Sequence, residues 1–144
     1  MTEEEKIELS AERAAKQKSL ELLFDYTKFH IGLYLTLTAA YVAVATAKIN
    51  EKPIVTLLPE FLWPAVAAFM VAGLAGGVIA SSITQTAARS TEEFLSLPIG
   101  PWEFKAVHFR ARAWTWIEHT SFWVGLILAV FSFLITNEAQ LVSQ

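Results

Sequence analysis

Hydrophobic and charged residues are segregated along this chain into three long uncharged stretches and charged connections. Asp, Glu, Lys and Arg are absent from residues 29–47, 61–88 and 119–137. About 20 helical residues, at 1.5 Å each, cover the roughly 30 Å hydrocarbon core of a bilayer. Because lipid offers no partner to an open backbone N–H or C=O, each stretch should be helical. The predicted transmembrane helices are 29–48, 61–84 and 118–137.

The first 28 residues are rich in charge and predict a helix that precedes the first span. Thr2 and Glu5 have the spacing of a capping box, in which each side chain bonds the backbone N–H of the other residue. No glycine or proline interrupts the sequence before Gly32. We therefore expect one helix of more than 40 residues, which starts in the cytoplasm as residues 1–28 and continues into the first span.

Prolines mark residues 48–60 as a short outer loop. Pro53 and Pro59 interrupt helices because proline lacks the backbone N–H and clashes with the preceding turn. The second span should start near Phe61. Pro64 then falls in the first turn, where a missing N–H costs nothing.

The connection 90–117 is expected to hold two cytoplasmic helices. Ser90 and Glu93 form a second capping box before a short helix, and residues 97–101 predict a turn by their proline and glycine content. A further helix should begin at Pro101 and run through the third span. Its first part places residues at spacings of four and three on one face: Trp102, Ala106, Phe109, Ala113, Trp116 and Thr120. This pattern predicts an amphipathic helix at the membrane surface, with packing of the same aromatic face on the N-terminal helix of a neighbouring subunit as the alternative.

The expected fold class is therefore all-α. It is an integral membrane protein with three transmembrane helices, a long cytoplasmic N-terminal helix and an amphipathic cytoplasmic helix preceding the third span. We expect one membrane domain over residues 1–144, since the chain is too short for two units of ordinary size.

Composition narrows the possible functions. The chain is 54% hydrophobic and 17% charged, which is less charge than soluble domains usually carry. The absence of cysteine excludes disulfides, thiolate metal sites and cysteine nucleophiles. A net charge of −3 argues against a nucleic-acid partner, because phosphate binding needs concentrated Lys and Arg.

The distribution of basic residues predicts the orientation. Nine of the 11 Lys and Arg residues lie in 1–28 and 89–118, and two lie in 48–60. Cytoplasmic connections carry the excess of Lys and Arg. We therefore expect an integral protein of a bacterial inner membrane, with its N-terminus in the cytoplasm and its C-terminus outside.

Small residues form two rows along the second span, each with a spacing of four. One row is Ala72, Gly76 and Ala80; the other is Gly73, Gly77 and Ser81. Small residues allow close approach of helix backbones in lipid. We expect one row to pack within the chain and the other to mediate oligomerisation, with both rows packed within the subunit as the alternative.

A polar stripe follows one face of the first span, at His30, Tyr34, Thr38 and Tyr41. Polar groups inside a membrane face protein or water. The stripe should therefore lie against a partner helix or along an aqueous lumen. His30 and His119 stand at the same end of two spans that run in the same direction. They could hold a haem iron or relay protons, with two ordinary interfacial side chains as the alternative.

Aromatic and basic residues near the ends of the spans are expected at the lipid interface. They are Trp63, Trp102, Arg110, Arg112, Trp114 and Trp116. No cofactor other than this haem alternative is expected. No metal site is expected, because the three histidines lack a carboxylate cluster.

Motifs of catalysis are missing from the sequence. It contains no Gly-x-Ser-x-Gly and no His-Glu-x-x-His, and no acidic residue lies inside the three uncharged stretches. We therefore expect neither an enzyme nor a proton-coupled transporter.

Two functions remain. The first is a homo-oligomeric pore, or a membrane-perturbing effector. The second is an accessory or anchor subunit of a larger membrane complex. This alternative includes a redox subunit that holds haem between His30 and His119. The expected partners are the lipid bilayer and further subunits.

Overall fold

The computed structural model is mostly helical (83%). It describes residues 2–49, 51–53, 55, 57–86, 88, 90–101 and 108–142, with side chains up to residue 133. The helices are α1 (Glu3–Thr46), α2 (Pro59–Gln85), α3 (Thr91–Ser96) and α4 (Ala111–Val142). Four two-residue strands are β1 (Lys48–Ile49), β2 (Lys52–Pro53), β3 (Pro98–Ile99) and β4 (Phe109–Arg110).

Helix α1 confirms the prediction of one long N-terminal helix, since it runs without a break for 44 residues. The capping box is formed at its start. The Thr2 N–H donates to Glu5 Oε2 at 2.7 Å, and the Glu5 N–H donates to Thr2 Oγ1 at 3.3 Å. These bonds satisfy two of the backbone donors that a helix N-terminus leaves open.

The connection between α1 and α2 differs from the expected plain loop. Strands β1 and β2 pair antiparallel, with Lys48 opposite Pro53, and Glu51 takes the left-handed conformation (φ 66°) in the turn between them. Helix α2 begins at Pro59 rather than near Phe61. Pro64 therefore lies inside the helix and not in its first turn.

The stretch before the third apolar helix corrects another prediction. Ser90 caps α3 as expected, since its side chain accepts a hydrogen bond from the Glu93 N–H. A helix from Pro101 is wrong, because Phe109–Arg110 is extended as β4 and pairs antiparallel with β3. The expected amphipathic helix falls partly on residues 102–107, which lie outside the described residues; α4 begins only at Ala111.

Three of the helices are long and apolar enough to cross a membrane, which confirms the coarse prediction. The apolar windows lie in Glu3–Thr46, Pro59–Gln85 and Ala111–Phe133. The expectation of a single membrane domain, with residues 1–28 and 90–117 in the cytoplasm and three spans across the bilayer, stays a prediction.

Contacts divide the chain into two compact units, of which one combines Met1–His30 with Ala75–Trp116. In this first unit the side chain of Thr91, at the start of α3, donates to Ser19 Oγ of α1 at 3.0 Å. The Ala111 N–H donates to the Leu97 carbonyl at 2.9 Å, which ties the start of α4 to the end of α3.

The second unit combines Ile31–Leu74 with Ile117–Gln144. Its core is built from Tyr41 of α1, Leu57 before α2 and Ala65 of α2. Apolar side chains of all three helices pack on this core, among them Ala45, Leu62 and Leu128. In this unit α1 and α4 run in the same direction, because Tyr34 contacts Phe122 while Tyr41 contacts Phe133.

Candidate functional site

A buried polar pair joins α1 and α4 in the second unit. The phenol of Tyr34 donates a hydrogen bond of 3.0 Å to Oε1 of Glu118. Tyr34 is 1% exposed and Glu118 is 2% exposed. Carboxylates are rarely buried this completely, because removing a charge from water is costly unless hydrogen bonds and partners compensate. The pair is therefore the strongest candidate for a functional site among the described residues.

A seven-residue repeat positions the two side chains. On α4, among the side chains described for the second unit, the buried residues are Glu118, Gly125 and Ser132, at intervals of seven. On α1 of the same unit, Tyr34 and Tyr41 are the buried residues. Residues seven apart return to nearly the same face of a helix, and this is the spacing of helices that pack along a common seam.

The surroundings of the pair are aromatic and small. The ring of Phe122, one turn after Glu118, lies 5.1 Å from the ring of Tyr34. Phe69 of α2 lies 6.2 Å from Phe122 between ring centroids. Thr38, one turn after Tyr34, donates its hydroxyl to the Tyr34 carbonyl at 2.8 Å. Aromatic rings of α2 and α4 thus flank the Tyr34 side of the pair.

Glu118 is the first residue of the predicted third span and stands six positions after Arg112. Tyr34 stands six positions after Lys28. At 1.5 Å per residue, the pair stands about 9 Å of helix beyond these cations. The three uncharged stretches contain no acidic residue, but Glu118, directly before the third one, contacts Tyr34 of the first. The expectation of neither an enzyme nor a proton-coupled transporter stays a prediction.

The predicted polar stripe is divided by the structure. Tyr34 and Tyr41 are buried, and the Tyr41 hydroxyl has no hydrogen-bond partner among the described residues. Thr38 and His30 are partly exposed. Tyr34 and Tyr41 are thus covered within one chain, whereas a side chain that lines a lumen between subunits must be open on its own subunit.

The two histidines of the haem alternative belong to different units. His30 is in the first unit, where Nδ1 lies 2.9 Å from the Tyr26 carbonyl. His119 belongs to the second unit and is partly exposed. No group of three His, Cys, Asp or Glu side chains that could hold a metal ion occurs in the part of the chain that the structure describes.

The two rows of small residues on α2 have different surroundings. Ala72, Gly76 and Ala80 are buried. At Gly73 and Gly77, a Cβ would meet no described atom within 4 Å beyond its chain neighbours and the nearby backbone of α2 itself, and Ser81 is exposed. One face of α2 is therefore used in packing within the chain, and the neighbouring row is open.

The residues expected at a lipid interface fall into two groups. Four of them are exposed, as an interface requires: Trp63, Trp116, Arg110 and Arg112. Trp114 corrects the prediction, because it is buried and its indole N–H donates to the Ile99 carbonyl at 3.0 Å. Trp102 lies outside the described residues.

Comparisons with known proteins give no match. No family model fits the sequence, and neither a curated protein nor a solved structure is similar to it.

Proposed function

We propose that this chain is an integral membrane protein that assembles with further copies of itself into a pore or a membrane-perturbing complex. Support for lipid as its medium comes from large apolar side chains exposed on the outer faces of three helices. Leu35 of α1, Leu74 of α2 and Ile127 of α4 are each more than half exposed. Exposed apolar surface on this scale is rare on soluble monomers and ordinary against acyl chains.

The observation that carries the assembly is the open row on α2. Gly73 and Gly77 leave backbone accessible beside a helix whose other small row is already packed. In lipid the attraction between helices comes from close van der Waals contact and interhelical hydrogen bonds, both of which small residues permit. A second copy that presents the same face fills this row at little steric cost.

If several copies enclose a lumen, residues of α2 line it. Three helices enclose no channel of their own, and Tyr34 and Tyr41 are covered within the chain. Ser81 and Thr84 are exposed and continue the row of Gly73 and Gly77 by one turn each. The proposed lumen or interface is therefore this α2 face. In the proposed orientation the N-terminus of α1 is cytoplasmic, following the positive-inside distribution.

The test is the mass of the protein solubilised in mild detergent. The double variant Gly73→Leu, Gly77→Leu adds bulk to the open row without meeting any atom of its own chain within 4 Å of either Cβ. We expect the double variant to associate at least about tenfold more weakly than the wild type. This corresponds to ~1.4 kcal/mol of association free energy. Ala39→Leu, at an exposed position of α1, adds the same bulk away from the row and serves as the control.

An unchanged mass in the double variant contradicts assembly through this row. A wild-type chain that is monomeric when pure, but leaves native membranes with fixed partner proteins, points instead to the accessory subunit. That second function has its own support in the first unit. There an open groove of about 820 Å³ leaves room for a docked segment of a partner, and it is lined by Leu9, Arg13, Lys16 and Leu20 of α1 and by Ser90 and Glu93.

A further inference from the structure

The Tyr34–Glu118 pair has a chemistry that the assembly through α2 does not use. A buried acidic side chain between apolar helices is expensive to keep, and such residues usually serve ions or protons rather than packing. The carboxyl group of Glu118 on α4 meets the phenol of Tyr34 on α1, so its protonation state bears on the contact between these helices.

We propose that Glu118 is a proton-binding site, and that gain and loss of this proton changes the contact between α1 and α4. The carboxylate takes one proton from a hydronium ion: an O–H bond forms at the carboxyl oxygen, one O–H bond of the hydronium ion breaks, and a water molecule is released. Tyr34 is the positioning residue, because its phenol holds Oε1 at 3.0 Å.

The donor set favours a proton over a metal ion. Hard cations such as Ca²⁺ and Mg²⁺ take six or more oxygen ligands, several of them carboxylate oxygens. Among the described residues, no group of three His, Cys, Asp or Glu side chains could hold a metal ion. Helix α2 has no titratable side chain between Phe61 and Gln85. A proton needs one carboxyl oxygen only.

The hydrogen bond makes the helix contact sensitive to the charge on Glu118. An ionised carboxylate accepts a charge-assisted bond from the Tyr34 phenol, which is roughly twice as strong as a bond between neutral groups. A protonated carboxyl group accepts a weaker bond and gains a donor of its own. Because the two residues belong to different helices and Phe122 lies against the Tyr34 ring, the strength of this bond acts on α1–α4 packing.

Other titratable groups near the pair must be separated from Glu118 in any pH experiment. His119 follows Glu118 on α4, and His30 precedes Tyr34 by one turn on α1. The nearest cations along the two helices are Arg112 and Lys28, six residues before Glu118 and Tyr34. Substitution at Glu118 itself distinguishes its titration from all of these.

Infrared difference spectroscopy of the full chain in lipid tests the proposal directly. The C=O stretch of a protonated carboxyl group is followed from about pH 4 to about pH 9, a range wider than that in which exposed carboxyl groups titrate. The wild type should show a band that appears on acidification, is missing in Glu118→Gln, and shifts in frequency in Tyr34→Phe as the bond to Oε1 is lost. Glu60→Gln, which removes an exposed carboxyl group of α2, should retain the band.

The same carboxyl spectrum in wild type and Glu118→Gln at every pH overturns the proposal, as does a Glu118 band that never changes with pH. If Glu118→Gln fails to fold, the frequency shift in Tyr34→Phe decides, since only a carboxyl group bonded to Tyr34 responds to it.

A distance measurement tests the coupling to the helix contact. Because the chain has no cysteine, Leu35→Cys and Val124→Cys introduce one label on α1 and one on α4 at exposed positions. The spin–spin distance distribution should change with pH in this background and stay constant when Glu118→Gln is added. A distribution that is constant in both overturns the coupling. Neither readout depends on Gly73 or Gly77, so the failure of the α2 assembly would leave this proposal standing.

Discussion

Gly125 of α4 lies directly against the ring of Phe69 of α2. A Cβ at Gly125 would stand 2.9 Å from the ring carbons Cδ1 and Cε1, and 3.3 Å from the Ala65 carbonyl oxygen. Phe69 is buried, so its ring has little room to move aside. Gly125→Ala should therefore destabilise the fold by roughly 1–3 kcal/mol through overpacking. Thermal unfolding in detergent measures this loss.

Gly32→Ala is the matched control for that substitution. Gly32 lies inside α1 and has no atom within 4 Å of a Cβ position. Alanine is better than glycine in a helix interior, so this variant should be neutral or more stable by up to about 1 kcal/mol. Equal melting temperatures for Gly125→Ala and Gly32→Ala would show that α4 does not approach α2 as closely as described.

Trp114 should matter to the strands that precede α4, because its indole N–H donates to the Ile99 carbonyl at 3.0 Å. Trp114→Phe retains an aromatic ring but leaves that carbonyl without its donor, at a cost of about 1 kcal/mol. We expect faster hydrogen exchange at the Ala111 N–H, which bonds the Leu97 carbonyl at the same junction. Trp116→Phe, at a residue that is 70% exposed, should leave this exchange rate unchanged. Equal rates in the two variants would contradict a structural role for Trp114.

The pKa of Glu12 is lowered from its ordinary value of 4.5. The main cause is the hydrogen bond of 2.6 Å that the Lys16 ammonium group donates to its carboxylate, and the positive charge of Lys16 adds to it. A lowered pKa in the folded chain means that the ionised pair favours the helix above the ordinary pKa. This contribution is lost as pH falls through the lowered value. Carbon-detected NMR of the Glu12 carboxyl should show its titration move to higher pH in Lys16→Gln and stay in place in Lys6→Gln. Identical titrations in all three proteins would contradict the pairing.

Local signals in the sequence were sufficient for the helices. The charge-free stretches predict three long apolar helices, and the capping residues Thr2 and Ser90 predict two helix starts, because both depend on residues close in sequence. The pairing of β3 with β4 was not predictable in this way. It joins two-residue strands that are eleven positions apart, and strands so short have no periodicity of their own.

The candidate site shows why burial is harder to predict than helical structure. The uncharged stretch stops at Glu118 by definition, although this carboxyl group is buried and bonded to a phenol 84 positions away. Trp114 and Trp116 have the same residue type near the same span end, yet they lie on different sides of α4 because they are two residues apart. The seven-residue register of Glu118, Gly125 and Ser132 was the available signal for the buried face.

The central claim is that lipid surrounds α1, α2 and α4, and the most direct measurement is the environment of a spin label on their outer faces. Single cysteines at Leu35, Leu74 and Ile127, which are all exposed, carry the label into the protein in bilayers. We predict that collisions with apolar oxygen exceed those with a water-soluble nickel complex at all three positions. Labels that meet the nickel complex as freely as a label in water would contradict the account.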